Sequence, residues 1–150
     1  NAYNSQRVGA GTVALGLAVG GYRNALAFAQ EREQFGRPIA TFQAVSHRLA
    51  DCFIDVECLR LVTQQASSLI NEGQPAKSAA QIAKIWCGNV THRVSQASQH
   101  CHGGTGVDRD YPLFRYCQWA RQIELTAGSS AQLSGELGQA ICAEYLSKVG

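Results

Sequence analysis

One stripe between Thr41 and Asn71 constrains the fold more than any other feature. Val45, Leu49, Cys52, Val56, Leu59, Thr63, Ala66 and Ile70 recur at alternating spacings of four and three. That spacing puts all of them on one face of a single long α-helix, since a strand would repeat every two residues. A helix of this length needs other helices to cover its stripe. Thr41 stands where an N-cap hydroxyl is expected, Gly73 where the helix should end, and Pro75 blocks its continuation.

The flanking segments supply candidate partners. Residues 3–34 carry Val8, Leu15, Val19, Tyr22, Leu26 and Ala29 at helical spacing, interleaved with glycines. A mid-helix glycine costs about 1 kcal/mol relative to alanine, so their number points to close contact with other helices or a ligand. A third helix is predicted from Pro75 to about Gln99, burying Ile82, Ala83, Trp86, Val90, Val94 and Ala97 and stopping before Gly103-Gly104. A short helix from Leu113 to about Thr126 and a last one from Ser129 to about Lys148, with Leu133, Leu137 and Ile141 inward, complete the chain. Strand alternation is absent, so the reading is an all-α bundle of long antiparallel helices. With 150 residues, 45% of them apolar, one domain with one core is expected. Methionine is missing even at position 1, which makes a segment of a longer polypeptide the expectation.

Charge and cysteine usage narrow the function classes. A net charge of +2, with Lys and Arg scattered along the chain, lacks the footprint of a nucleic-acid binder. The six cysteines form no CxxC pair and sit among apolar neighbours, so they read as buried reduced thiols. His92, His100, Cys101 and His102 do not read as a metal set, because adjacent helical residues point to different sides. With neither an apolar run of about 18 residues nor a charged leader before an apolar segment, a cytoplasmic protein without a membrane span is expected.

Two loop motifs carry the chemistry. In "EREQFGRPIATFQ", Arg32 offers a guanidinium for phosphate, Phe35 an aromatic face for a flat heterocycle, and Gln43 an amide for a polar edge. Each alone reads as a helix-end salt bridge, a core aromatic and a surface amide. In "HCHGGTG", glycines let backbone amides approach an anion, although the pattern fits neither the dinucleotide nor the P-loop fingerprint.

Taken together, R-x-x-F-G-R-P-I-x-x-F-Q at Arg32 to Gln43, H-G-G-x-G at His102 to Gly106 and D-Y-P-L-x-R-Y-x-x-x-A-R at Asp110 to Arg121 are far more specific. In this order and spacing the chain resembles the C-terminal helical domain of the flavin-dependent acyl-CoA dehydrogenases over essentially its whole length. The resemblance implies a four-helix bundle with an additional short helix, the N-terminal helical and middle β domains lying outside this chain. It also implies FAD as cofactor, an acyl-CoA substrate and pairing with a second subunit of the same family, as a hetero-oligomer or a homodimer. By the same resemblance, Arg32 and Phe35 reach the neighbour's FAD, Gln34 lies between them, and Gln43 matches a glutamine near the adenosine. Gly103 and Gly104 match the loop at the flavin diphosphate, where a glutamine three positions earlier is replaced by His100. Arg7 matches an arginine facing the acyl-CoA pocket.

The family reaction removes the proton α to the thioester with a carboxylate while hydride passes from the β carbon to the flavin. Counting from Tyr111 through Arg121 lays Thr126-Ala127-Gly128-Ser129 on the family's Y-E-G-T loop. Ser129 then falls among the flavin contacts, and Ala127 takes the place of the base. A second family solution puts a glutamate just before the arginine matched by Arg7, where this chain has Gln6. No catalytic residue is therefore expected here, and the resemblance points to the base-lacking subunit of a heteromeric dehydrogenase, inactive as an isolated domain. The alternatives are a self-sufficient flavoenzyme of altered chemistry, monooxygenase-like or with its base moved to Glu124, and a non-catalytic assembly module.

Overall fold

The computed structural model describes residues 2–149. Five α-helices dominate them: α1 (Ala2–Glu31), α2 (Gln43–Asn71), α3 (Lys77–His102), α4 (Pro112–Leu125) and α5 (Ser130–Val149). Cross-contacts fix the directions. Gly21 O accepts from Ser98 Oγ and Phe28 stacks on His102, so α1 and α3 run parallel. Tyr22 meets Phe53, while Arg7 reaches Ala127 and Gly20 lies under Tyr116, so α2 and α4 run antiparallel to α1. The result is an up-down-up-down four-helix bundle, with α1 and α3 at its centre and α5 laid against the start of α3.

The α2 stripe is buried as its spacing predicts. Leu49, Cys52, Val56, Leu59, Thr63 and Ala66 are inside, and Val45 and Ile70 are partly covered. On α1 the most buried line is alanine: Ala14, Ala18, Ala25 and Ala29. The larger Leu15, Val19, Tyr22 and Leu26 are only partly buried beside it. Small side chains let a central helix be approached from several sides. Gly20 shows the same economy, because a Cβ there would overlap the Tyr116 ring of α4.

Several local expectations change. Thr41 does not cap α2; its hydroxyl donates to Pro38 O at 2.7 Å. Phe42 takes the N-cap place in extended geometry without a side-chain bond. Pro75 lies two residues ahead of α3, and the helix runs on to His102, bringing His100 into its last turn. Of the residues expected inside α3, Ala83, Val90, Val94 and Ala97 are buried, Trp86 is partly buried against the core, and Ile82 is exposed; Ala80, Cys87, Thr91 and Ser98 complete the buried face. Ile141 does not face inward but is 58% exposed, leaving Leu133 as the buried anchor of α5. The thiols are all unpaired; Cys52, Cys87 and Cys101 are buried, whereas Cys142 is exposed.

A minimal hairpin also appears where only a turn was legible. β1 (Glu33–Gln34) pairs antiparallel with β2 (Arg37–Pro38), Glu33 opposite Pro38 and Gln34 opposite Arg37. Strands of two residues are too short to show alternation. No described helix is long and apolar enough to cross a membrane.

Candidate functional site

The hairpin presents Phe35 at its tip, with φ of 54° at Phe35 and 76° at Gly36. Two consecutive positive φ values make a two-residue turn that matches the strand twist. Glycine accepts this geometry freely, whereas a bulky aromatic residue is strained in it. Phe35 is nevertheless 93% exposed, so burial within the chain does not offset the strain. Its ring meets Phe42 edge-on at 6.1 Å, and the Arg37 guanidinium covers Phe42 at 4.2 Å. Arg32, Gln34 and Gln43 are exposed around this tip. Gln34 donates to Glu33 O at 2.7 Å. The platform is fixed from beneath by Ile39, Ala40 and Val45, which pack on Ala25, Ala29, Leu49 and Cys101.

That same cluster joins the hairpin to the end of α3. His100 is exposed there, and Gly103 and Gly104 follow with no atom within 4 Å of where a side chain would begin. Gly103 has φ of 58°. Arg32, Gln34, Phe35, Gln43, His100, Gly103 and Gly104 therefore share one end of the bundle. His102, the remaining part of the motif, is buried.

Arg7 and Ser129 belong to the opposite end, roughly 30 Å away along α1 at about 1.5 Å per residue. Arg7 is 5% exposed; its Nε donates to Ala127 O at 3.4 Å, its Nη2 lies 3.9 Å from Glu136, and it covers the Tyr3 ring at 4.4 Å. Gln6, which is exposed, precedes it in the chain, so Arg7 ties the bend at Ala127 to the helix that carries the other position at which the family resemblance places a base. Ala127 has φ of 61° and Gly128 107°, a left-handed bend held from three sides. Arg7 bonds Ala127, the buried Lys84 donates its ammonium to Glu124 O at 2.9 Å, and Ser130 Oγ donates to Ile85 O at 3.1 Å. Burial lowers the Lys84 pKa, and the nearby Cys87 and Glu124 act against that shift. Ser129 accepts from Gln132 N at 3.3 Å, as a cap for α5.

The Glu124 carboxylate accepts from Arg121 at 2.8 Å and lies 3.5 Å from His92. It is paired with Arg121. A further carboxylate, Glu136, accepts from Gln81 at 3.2 Å and Gln132 at 2.9 Å. Glu136, Lys84 and Gln81 were not legible as site residues, because their partners lie far away in sequence. His92, Cys101 and His102 go to three different environments, and among the described residues no cluster suited to a metal forms.

Residues 1–141 match the family model described as acyl-CoA dehydrogenase, C-terminal domain. The chain belongs to the acyl-CoA dehydrogenase family. It is 41% identical over 148 residues to a 3-sulfinopropanoyl-CoA desulfinase of Paraburkholderia xenovorans (strain LB400), covering 99% of this chain and 38% of that protein. Among solved structures of the family, the Tcur3481-Tcur3483 steroid ACAD superposes with a TM-score of 0.90 at 41% identity, over 93% of this chain and 39% of the other. The ChsE4-ChsE5 complex from Mycobacterium tuberculosis gives 0.90 at 36% identity, over 93% and 38%. The chain thus spans about two fifths of the length of these acyl-CoA dehydrogenase family members.

Proposed function

We propose that this chain is the C-terminal domain of the base-lacking subunit of a heteromeric, FAD-dependent acyl-CoA dehydrogenase. The observation that carries the reading is the meeting of Arg7 with Ala127. Arg7, next to Gln6 in the chain, bonds the bend at Ala127, and neither Gln6 nor Ala127, the two positions that the resemblance gives to a base, carries a carboxylate. Glu124 does not replace it, since Arg121 pairs with its carboxylate at 2.8 Å. An amide and a methyl group cannot accept the α-proton of a thioester. The similarity to two assemblies with double names, one of them termed a complex, supports a partner subunit of the same family.

FAD suits the hairpin end of the bundle. A strained, exposed Phe35 offers an aromatic face, Arg32 a cation for phosphate, Gln34 and Gln43 polar edges, and Gly103-Gly104 an unobstructed backbone with His100 as a further donor. Bound FAD supplies the hydride acceptor for α,β-dehydrogenation. This end would complete the partner's flavin site across the subunit interface, while Arg7 and Ser129 would face the site of this subunit's own fold. The acyl-CoA would be oxidised where the partner's carboxylate stands.

The test is expression of the full-length chain alone and with its partner subunit. Dehydrogenation only in the co-expressed complex, abolished when the partner's base is neutralised, is the expected result. Full turnover by the chain alone would end the proposal.

A second reading is favoured by the likeness to a protein named 3-sulfinopropanoyl-CoA desulfinase, spanning nearly the whole chain. Breaking a carbon–sulfur bond is a different demand from α-proton removal, so a site without the dehydrogenase base would suit it. Sulfite release from 3-sulfinopropanoyl-CoA by the full-length chain, without enoyl product, would favour this altered chemistry.

A further inference from the structure

We propose that His102 is a positioning residue that holds the Gly103-Gly104 loop in its cofactor-ready shape through Tyr111. This rests on the reading that the loop faces a flavin diphosphate. His102 is 4% exposed and touches three elements. Its ring stacks on Phe28 of α1 at 4.2 Å. Its Nδ1 lies 2.8 Å from Ser98 O in α3, and its Nε2 lies 3.2 Å from the Tyr111 hydroxyl at the entrance to α4.

The partners set the proton positions. A carbonyl only accepts, so Nδ1 carries a hydrogen, and in the tautomer with that single ring hydrogen Nε2 accepts and the Tyr111 hydroxyl donates. The loop between these two residues is pressed back on the same hub. A Cβ on Gly106 would come 2.7 Å from Gln99 O and 3.1 Å from His102 Cβ, and Gln99 donates to Gly106 O at 3.4 Å. Asp108 closes the way to α4 by accepting from Asp110 N at 3.0 Å.

The segment from Gly103 to Asp110 is thus tied at Gln99 and His102 on one side and at Tyr111 on the other, while Gly103 and Gly104 stay exposed. A glycine pair is conformationally free in isolation, and ordering it at binding would weaken affinity. The His102–Tyr111 bond imposes that order beforehand. It also gives a physical reason for H-G-G-x-G and D-Y-P to occur together in this chain: the first residue of one motif accepts the tyrosine hydroxyl of the other.

FAD titration of the full-length chain assembled with its partner, read by flavin absorbance and fluorescence, tests this. Tyr111→Phe removes one hydroxyl and should raise the Kd roughly three- to tenfold, the range of one hydrogen bond. His102→Leu should raise it at least as much, and the double variant no further than the larger single effect. His102→Gln retains an acceptor that can reach the tyrosine and should recover the Kd to within about threefold of wild type. Phe35→Ala serves as the control on flavin contact. Unchanged Kd in Tyr111→Phe and His102→Leu, with Phe35→Ala weakened, would overturn the positioning role and leave the flavin reading standing. Unchanged Kd in all of them would overturn both.

Discussion

Thr63 shows how a periodic pattern and a packing need can disagree at one residue. The stripe puts it inward on α2, where it is 5% exposed, and its Oγ1 has no hydrogen-bond partner among the described residues. Thr63→Val keeps the shape and removes the orphaned hydroxyl, so urea unfolding should show a gain of about 1 kcal/mol. Loss of stability would mean that the hydroxyl is satisfied in solution. Most site residues stood out from their chemistry, because a guanidinium, an aromatic ring and a glycine pair are visible as letters. Arg7's bond to Ala127 was not visible, for no spacing rule joins residues 120 positions apart. Nor was the role of His102, whose partners belong to three elements.

At the scale of elements, legibility followed the strength of the apolar signal. Leucine and valine marked α2, whereas the alanine line of α1 carries little hydropathy contrast and was read through its larger neighbours. On α3, Ile82 fits the period yet is exposed and Trp86 is only partly buried, because small residues occupy the face nearest α1. α5 has the weakest attachment. Leu133 is buried, and Ile141, Tyr145, Leu146 and Val149 are exposed beyond it. Leu133→Ala should cost about 2–5 kcal/mol if α5 unfolds with the bundle. Hydrogen exchange discriminates: amides of residues 138–149 should exchange far faster than those of α3 in this chain, and equal protection would contradict the loose attachment.

For the whole molecule, the buried thiols predict an alkaline limit. Burial pushes Cys52, Cys87 and Cys117 each from 9.0 up to about 11. The folded chain then holds these protons more tightly than the unfolded one, so their stabilisation is complete below pH 9 and lost as pH rises towards 11. Each thiol contributes a slope of about 1.4 kcal/mol per pH unit inside that window. Burial raises Cys101 as well, and Lys84, lowered by burial, acts in the opposite sense, but as one group against four. Unfolding free energies at pH 8 and 10.5 should show the fall, and Cys87→Ala should reduce its slope by roughly a third. A flat profile would mean that the thiols are equally acidic in both states.

The bundle also divides its chemistry by distance. An exposed, strained aromatic tip and an open glycine loop share one end, and a bend with Ala127 at its turn, clamped by Arg7 and Lys84, occupies the other. The most direct test of the missing base is α-deuterium incorporation into an acyl-CoA incubated in D2O with the full-length chain, alone and with its partner. The account predicts no enzyme-dependent exchange by the chain alone and rapid exchange by the complex. Exchange by the chain alone at the rate of the complex would show that it carries a working base of its own.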